Sequence, residues 1–323
     1  MFGVKKRSKF TSSDHFPFTQ SEPILTIRPF SLIRRGVFAF LLACSVASVA
    51  MALQVIGLKQ PAGIAVDPVS GAYFIANENG TPTDRDNNGF ITKLNQSGKV
   101  EKLKFIEGGV GGVMLHSPKG LAIVDRTLYV SDIDRVRSFD AATGRPLGDM
   151  DFSAMKTDFL TGLASDGNVL YIADSGTDTI FKVTLRPGAK PVILVKDPVL
   201  AGPHGLAVNP VTHALVIVSW NAGKIFEVSP AGALKVLFAN SFFNSRFGNL
   251  MGVDFDANGN MYVSDYSMGK VIRIDSALRI QTIAEFLTTP AGLAIDRKNH
   301  LILVPYLTGN TAEINGLGRE FKK

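Results

Sequence analysis

The chain has one cysteine and one tryptophan in 323 residues. Cys44 lies in an N-terminal apolar run, so a domain beginning after it has no thiol and cannot rest on disulfides. No C-x-x-C pair, P-loop, G-x-S-x-G elbow or H-E-x-x-H occurs, which removes the common signatures of thiol–metal, nucleotide, serine-hydrolase and zinc-protease sites. Gly108–Gly112 is glycine-rich, but no helix pattern follows to complete a phosphate cradle. No window shows a sustained 3.6-residue apolar period, so helical solenoids are excluded. An excess of positive charge is also missing from most of the chain. Residues 1–52 hold seven basic and two acidic residues, leaving 27 basic against 26 acidic in the remainder. The formal charge of +6 belongs to the N-terminal segment, and the rest has no surplus with which to neutralise phosphates, so no nucleic-acid partner is expected.

What is present at the N-terminus is a leader. Residues 1–30 are polar and without periodicity, as in a disordered segment. Arg34-Arg35 then precede an apolar run from Gly36 to Leu53, with Ala50 and Ala52 in an A-x-A arrangement. A basic flank, a short apolar stretch and a small-residue site form the pattern of an export signal. Three fates stay open: cleavage near Ala52, lipidation at Cys44 after Leu41-Leu42-Ala43, or retention as an anchor. All three put the domain in the periplasm or outside the cell, touching a membrane only through the leader.

The remainder, residues 53–323, is built from repeats. PAGIAVD, SPKGLAI, FLTGLAS, PHGLAVN, LMGVDFD and PAGLAID recur with glycines at 63, 120, 162, 205, 252 and 292, spaced 57, 42, 43, 47 and 40 residues apart. Each is followed by a β-rich phrase (YFIAN, LYVSD, LYIAD, LVIVS, MYVSD, LILVP), and then by a second one (FITKL, VRSFD, IFKVT, IFEVS, VIRID, TAEIN). In the fifth repeat, strands are predicted over 251–256, 261–265, 270–275 and 281–286, with turns at Asn258-Gly259 and Ser267–Gly269. Four antiparallel strands per unit is one blade of a propeller, so the fold class is all-β and the architecture a six-bladed β-propeller. The sixth repeat lacks a fourth strand, whereas LQVIGL at 53–58 precedes the first repeat as IAEFL precedes the sixth. The N-terminal strand is therefore expected to close the ring. Closure leaves no open sheet edge, which predicts a monomer.

Several polar residues invite chemistry. Asp132, Asp174 and Asp265 end the second strands of their repeats, and this recurrence points to a turn-stabilising role rather than catalysis. The repeats that depart from the rule carry Asn77-Glu78, Ser219-Trp220 and Pro305-Tyr306, and Trp220 with Tyr306 is expected to form an aromatic wall. In the first repeat, Asp84-x-Asp86-x-Asn88-Gly89-x-Ile91 matches the first eight positions of a calcium loop, with Asn95 where a bidentate Glu would complete it. A calcium-like divalent cation at Asp84, Asp86 and Asn88, with Gly89 curling the loop, is the resulting expectation.

These phrases, together with ANENGTPTDRDNNGFITKL and LYVSDIDRV, resemble NHL-type propellers and the senescence marker protein/gluconolactonase-like family of bacterial exported proteins over about residues 53–316. That resemblance implies a divalent metal at the channel mouth in the lactonase and esterase members. Their ligand positions fall here on Ala62, His204 and Met251, which leaves one ligand type of three. The residues before the six glycines are Ala62, Lys119, Thr161, His204, Met251 and Ala291, and they are expected to ring one opening. Lys119, Thr161, His204 and Met251 are the predicted ligand-binding set, suited to a small polar or anionic molecule, with His204 as ligand or base. His116 is expected on a loop at the same mouth. The sequence favours a binding or interaction propeller, holding a small molecule or a protein partner, over a hydrolase with a degenerate metal site.

Overall fold

The computed structural model describes residues 52–241 and 243–317, and the leader readings lie outside them. In the first blade, β2 (Pro61–Val66), β3 (Tyr73–Asn77), β4 (Phe90–Leu94) and β5 (Val100–Glu107) pair in sequence order from the axis outward. The second blade comprises β6 (Pro118–Val124), β7 (Thr127–Asp132), β8 (Arg135–Asp140) and β9 (Pro146–Asp151). The third contains β10 (Leu160–Asp166), β11 (Val169–Asp174), β12 (Thr179–Thr184) and β13 (Val192–Lys196). The fourth contains β14 (Pro203–Val208), β15 (Leu215–Ser219), β16 (Ile225–Val228) and β17 (Leu234–Phe238). The fifth contains β18 (Leu250–Phe255), β19 (Met261–Asp265), β20 (Lys270–Ile274) and β21 (Ile280–Ala284), each within a residue or two of its predicted bounds.

The last blade uses β22 (Ala294–Asp296), β23 (Leu301–Tyr306) and β24 (Thr311–Gly316), and takes its outer strand from β1 (Leu53–Val55). Leu53 faces Ile314 and Val55 faces Ala312 in antiparallel register. The closing strand is three residues long rather than the six expected, because Gly57 adopts φ +84° and turns the chain toward β2.

The core lies between blades. Phe74 and Ile91 of the first blade pack on Leu128, Val130 and Phe139 of the second, and equivalent clusters fill the other junctions. At the closing junction Val55 and Leu58 are buried with Ile64, Ile75, Leu303 and Ile314. Burial at these junctions explains why the second strand of each repeat reads as a near-continuous apolar run.

The six glycines set how closely the inner strands approach. A Cβ at Gly63 would lie 2.0 Å from the Lys119 carbonyl, one at Gly120 2.3 Å from that of Thr161, and one at Gly162 2.1 Å from that of His204. Gly205 meets Met251, Gly252 meets the Gly292–Leu293 backbone, and Gly292 meets Ala62, so the series closes on itself. Five of the six glycines face the residue before the next blade's glycine, and Gly252 faces the next glycine itself and the residue after it. Backbone packed on backbone around the axis is the stereochemical reason for the repeat.

Candidate functional site

The repeated aspartates hold the loops that lead into each inner strand. Asp132 accepts from the backbone N–H groups of His116 and Ser117, Asp174 from those of Phe159 and Gly176, and Asp265 from those of Gly248 and Met268. Asn77 fills the same place, accepting from the Lys59 N–H and donating to Thr92, and Ser219 donates to the Ala201 carbonyl. Strand register confirms the equivalence: Pro61 pairs with Asn77, Pro118 with Asp132, Pro203 with Ser219, and Leu250 with Asp265.

The same register corrects the expected aromatic wall. Pro290 bridges to Tyr306, so Tyr306 occupies the aspartate position and not that of Trp220. It is buried, and its hydroxyl donates to Glu313 at 2.9 Å. The partner of Trp220 is Tyr266, with ring centroids 5.1 Å apart. Trp220 and Tyr266 follow Ser219 and Asp265, and at the corresponding places stand Glu78, Ile133, Ser175 and Leu307. These six positions form a second ring outside the pre-glycine ring, and all but the buried Ile133 line one cavity.

At the level of the pre-glycine residues the axis is almost closed. The space among Ala62, Lys119, Thr161, His204 and Met251 is about 60 Å³, room for a few waters at most. The larger cavity, about 550 Å³, opens just beyond it and keeps Lys119, His204 and Met251 in its lining. Thr161 is outside that cavity, its hydroxyl held between Ser175 and the Pro203 carbonyl. The wall is mainly apolar: Trp220, Tyr266 and Leu307 lie on a floor of buried Ala62, Met251 and Ala291. Phe159 and Pro82 complete it from the third blade and the first-blade loop.

Lys119 does not project into free space. It is 3% exposed, and its Nζ donates to the carbonyls of Pro82 (2.8 Å) and Ser117 (2.9 Å) and to the Ser117 hydroxyl (3.0 Å). The ammonium also lies 4.5 Å from the centre of the Phe159 ring and 3.9 Å from Oε1 of Glu78. Burial lowers the pKa of Lys119, opposed by the charges of Glu78 and Asp132. Glu78 is 4% exposed, and its Oε2 is buried without a hydrogen-bond partner. Burial pushes its carboxyl up, and the Lys119 charge offsets part of that rise.

His204 is half-buried, with Nδ1 3.1 Å from the Met251 carbonyl and its ring 5.7 Å from that of Trp220. A carbonyl only accepts, so Nδ1 carries the proton and Nε2 is left as an acceptor. Burial lowers its pKa from the usual 6.5 to about 4; the bond to Met251 opposes the fall and the Lys119 charge adds to it. The ring is neutral at physiological pH.

The first-blade insertion is fastened to the second blade. Arg85 makes a two-pronged pair with Asp134 at 2.8 and 3.1 Å, the Asn87 N–H donates to Nδ1 of His116, and the Leu115 N–H donates to the Asn87 side chain. His116 is thus an anchor for this loop. The residue that curls the loop is Asn87 (φ 56°), not Gly89. Gly89 is required by close approach instead, since a Cβ there would lie 2.4 Å from Pro118 and 2.6 Å from the His116 carbonyl. Asp84 and Asp86 are exposed, and Asp86 accepts from the Asn88 amide at 2.5 Å while Asn88 Oδ1 is buried without a partner. Two exposed carboxylates, one of them bonded to an amide donor, fall short of the six to eight oxygens a calcium-like ion takes. The lactonase positions do not fit a metal either, because Ala62 and Met251 pack together in an apolar cluster. Among the described residues no group of three His, Cys, Asp or Glu side chains is placed to hold one.

No protein-family model matches the chain, and no curated protein matches its sequence. Solved structures match its fold. A Bacteroides thetaiotaomicron protein of unknown function superposes with a TM-score of 0.62 at 14% identity, over 80% of this chain and 69% of that one. Virginiamycin B lyase from Staphylococcus aureus gives a TM-score of 0.56 at 14% identity, over 82% and 98%. A chain of a nidogen–laminin complex gives 0.55 at 20% identity, over 69% and 88%. At such identities the likeness is one of architecture, and it identifies the chain as a six-bladed β-propeller without carrying over the activity of any relative.

Proposed function

We propose that this protein is an exported, small-molecule-binding propeller whose ligand sits in the mouth cavity between the first-blade loop and the Trp220–Tyr266 wall. The observation that carries this reading is the second ring. Five of its six equivalent positions hold Glu78, Ser175, Trp220, Tyr266 and Leu307, residues with no shared duty in their blades, and together they line about 550 Å³. That volume lies within the usual 300–1,000 Å³ of ligand pockets, and a mainly apolar wall with a few aimed polar groups is their usual composition.

The chemistry of the lining favours binding by burial and orientation. Trp220, Tyr266, Leu307 and Phe159 supply apolar surface, and full burial of a ligand ring against them contributes about 2–3 kcal/mol. Neutral His204 offers Nε2 as a fixed acceptor, because its other nitrogen is held by the Met251 carbonyl. The leader supports export: a basic flank, an apolar run and an A-x-A site precede a domain free of cysteine.

Trp220 is the only tryptophan, so its emission reports on the mouth alone. Small-molecule panels screened on the mature domain by this emission should yield saturable ligands whose binding weakens at least tenfold in Tyr266→Ala. Hits unaffected by that substitution would place binding elsewhere.

A further inference from the structure

The chemical class of the occupant follows from what the lining offers, an inference that rests on the binding function proposed above. The only cationic donor of the lining is already spent on the protein, and the other side-chain donors there, on Thr83, Trp220, Asn221 and Tyr266, are neutral. An ammonium has three N–H bonds, and Lys119 spends them on Pro82, the Ser117 carbonyl and the Ser117 hydroxyl. His204 donates to Met251, leaving Nε2 as an acceptor. Glu78 adds Oε2, a buried carboxylate oxygen that no protein group reaches. Asp158 adds a second carboxylate at the exposed rim, where it lies against Gly176.

The charge balance points the same way. Two carboxylates face one ammonium, and the imidazole is neutral. An anion would meet these carboxylates and find the only lysine of the lining already bonded to protein oxygens. A hard inorganic cation would need several oxygens and would waste an apolar wall. Aromatic faces beside carboxylates are suited to organic cations, since the faces of Trp and Tyr carry negative charge density.

We propose that the mouth recognises an organic ammonium ion on an apolar, preferably aromatic, body: its N–H group donates to Glu78 Oε2 while the body lies along Trp220, Tyr266 and Leu307. Such a ligand supplies the partner that Oε2 lacks, and its charge balances the two carboxylates. The neutral Nε2 of His204 is a second acceptor for the same group.

The test uses Trp220 emission and a panel of arylalkylammonium ions, with phenethylamine the smallest, each beside its matched alcohol and carboxylate, at pH 7.5 and low ionic strength. The ammonium ions should bind saturably and at least tenfold more tightly than the alcohols, with the carboxylates weakest. Glu78→Gln, near-isosteric, should remove the preference over the alcohol. Asp158→Asn, near-isosteric at an exposed position, should reduce it two- to fivefold by weakening the field at the rim, and this variant decides the matter if Glu78→Gln does not fold. Equal binding of ammonium and alcohol, or tighter binding of the carboxylate, would overturn the cation assignment while leaving the mouth as a binding site. A preference unchanged in the two variants would place the cation away from these carboxylates. No saturable response from any member of the panel would overturn both the assignment and the binding function.

Discussion

The two ends of the axial channel are built from the same six inner strands and differ in how their acids are used. At the end opposite the mouth, a vestibule of about 500 Å³ is lined by Asp67, Asp254 and Asp296. All three are committed to the fold. Asp67 accepts from Val69 and Ser70, Asp254 from the Ile295 N–H and Arg297, and Asp296 from Tyr73, Lys298 and Asn299. At the mouth, Glu78 Oε2 has no donor and the aromatic rings of Trp220 and Tyr266 are only partly covered. One end finishes the blades, and the other holds polar groups that the blades do not need. Buried polar atoms left unpaired cost about 1–3 kcal/mol, so such a group persists where something other than folding requires it.

Between the two ends, the glycine ring should tolerate least. Gly162→Val would drive a side chain into the His204 carbonyl, 2.1 Å from the first added carbon. The expected result is a loss of several kcal/mol, seen as insoluble protein or a melting temperature lower by more than 10 °C. A variant that melts like the parent would show that the inner strands are free to move apart.

The next largest effect separates Lys119 as a structural cation from Lys119 as a ligand contact. Lys119→Met leaves the buried Glu78 carboxylate without its counter-charge and should cost about 3–5 kcal/mol at pH 7.5. Burial already raises the Glu78 carboxyl, and losing the ammonium raises it further. The folded state then binds a proton more readily than the unfolded chain, so the deficit grows with pH and shrinks as pH falls. Adding Glu78→Gln to Lys119→Met should recover most of the loss in urea melts. If the double variant is no better, the pair is not coupled.

A smaller effect belongs to His204. Its pKa falls from 6.5 in the unfolded chain to about 4, so between these values the unfolded state binds more protons. Stability should therefore rise with pH through this window and be lost as pH falls from about 6.5 to about 4, by on the order of 2–3 kcal/mol. His204→Gln should flatten that slope relative to the parent. An unchanged slope would mean that His204 is more hydrated than its place beside Trp220 indicates.

The framework was legible in the sequence because each of its duties repeats. Six glycines recur since six backbone approaches need them, and Asp132, Asp174 and Asp265 recur since three loops end on the same hydrogen bonds. The closing strand could be read from LQVIGL because its apolar residues had to match those of a fourth strand. The mouth was legible only in part. Lys119, His204 and Met251 were found by their place before a glycine, but that place says nothing of where a long side chain ends. Lys119 turns back to Pro82 and Ser117, and Thr161 turns to Ser175. Tyr266 and Leu307 were missed, and Glu78 stood out only as a departure from the aspartate rule, because their shared position carries no shared residue type. Strand register reveals it, and register had to be known to see that Tyr306 answers to Asp265 rather than to Trp220.

The most direct test of the division between framework and mouth is the ligand-induced rise in melting temperature of a Trp220→Ala, Tyr266→Ala variant. Both side chains are partly exposed and pack on the axial floor of Ala62, Met251 and Ala291 rather than inside the clusters that fill the blade junctions, so the variant should melt within a few degrees of the parent. A compound that raises the parent's melting temperature by binding the native state should give no rise in this variant. An undiminished rise would contradict the account, because the binding site would then lie apart from the cavity lined by Glu78, Ser175, Trp220, Tyr266 and Leu307.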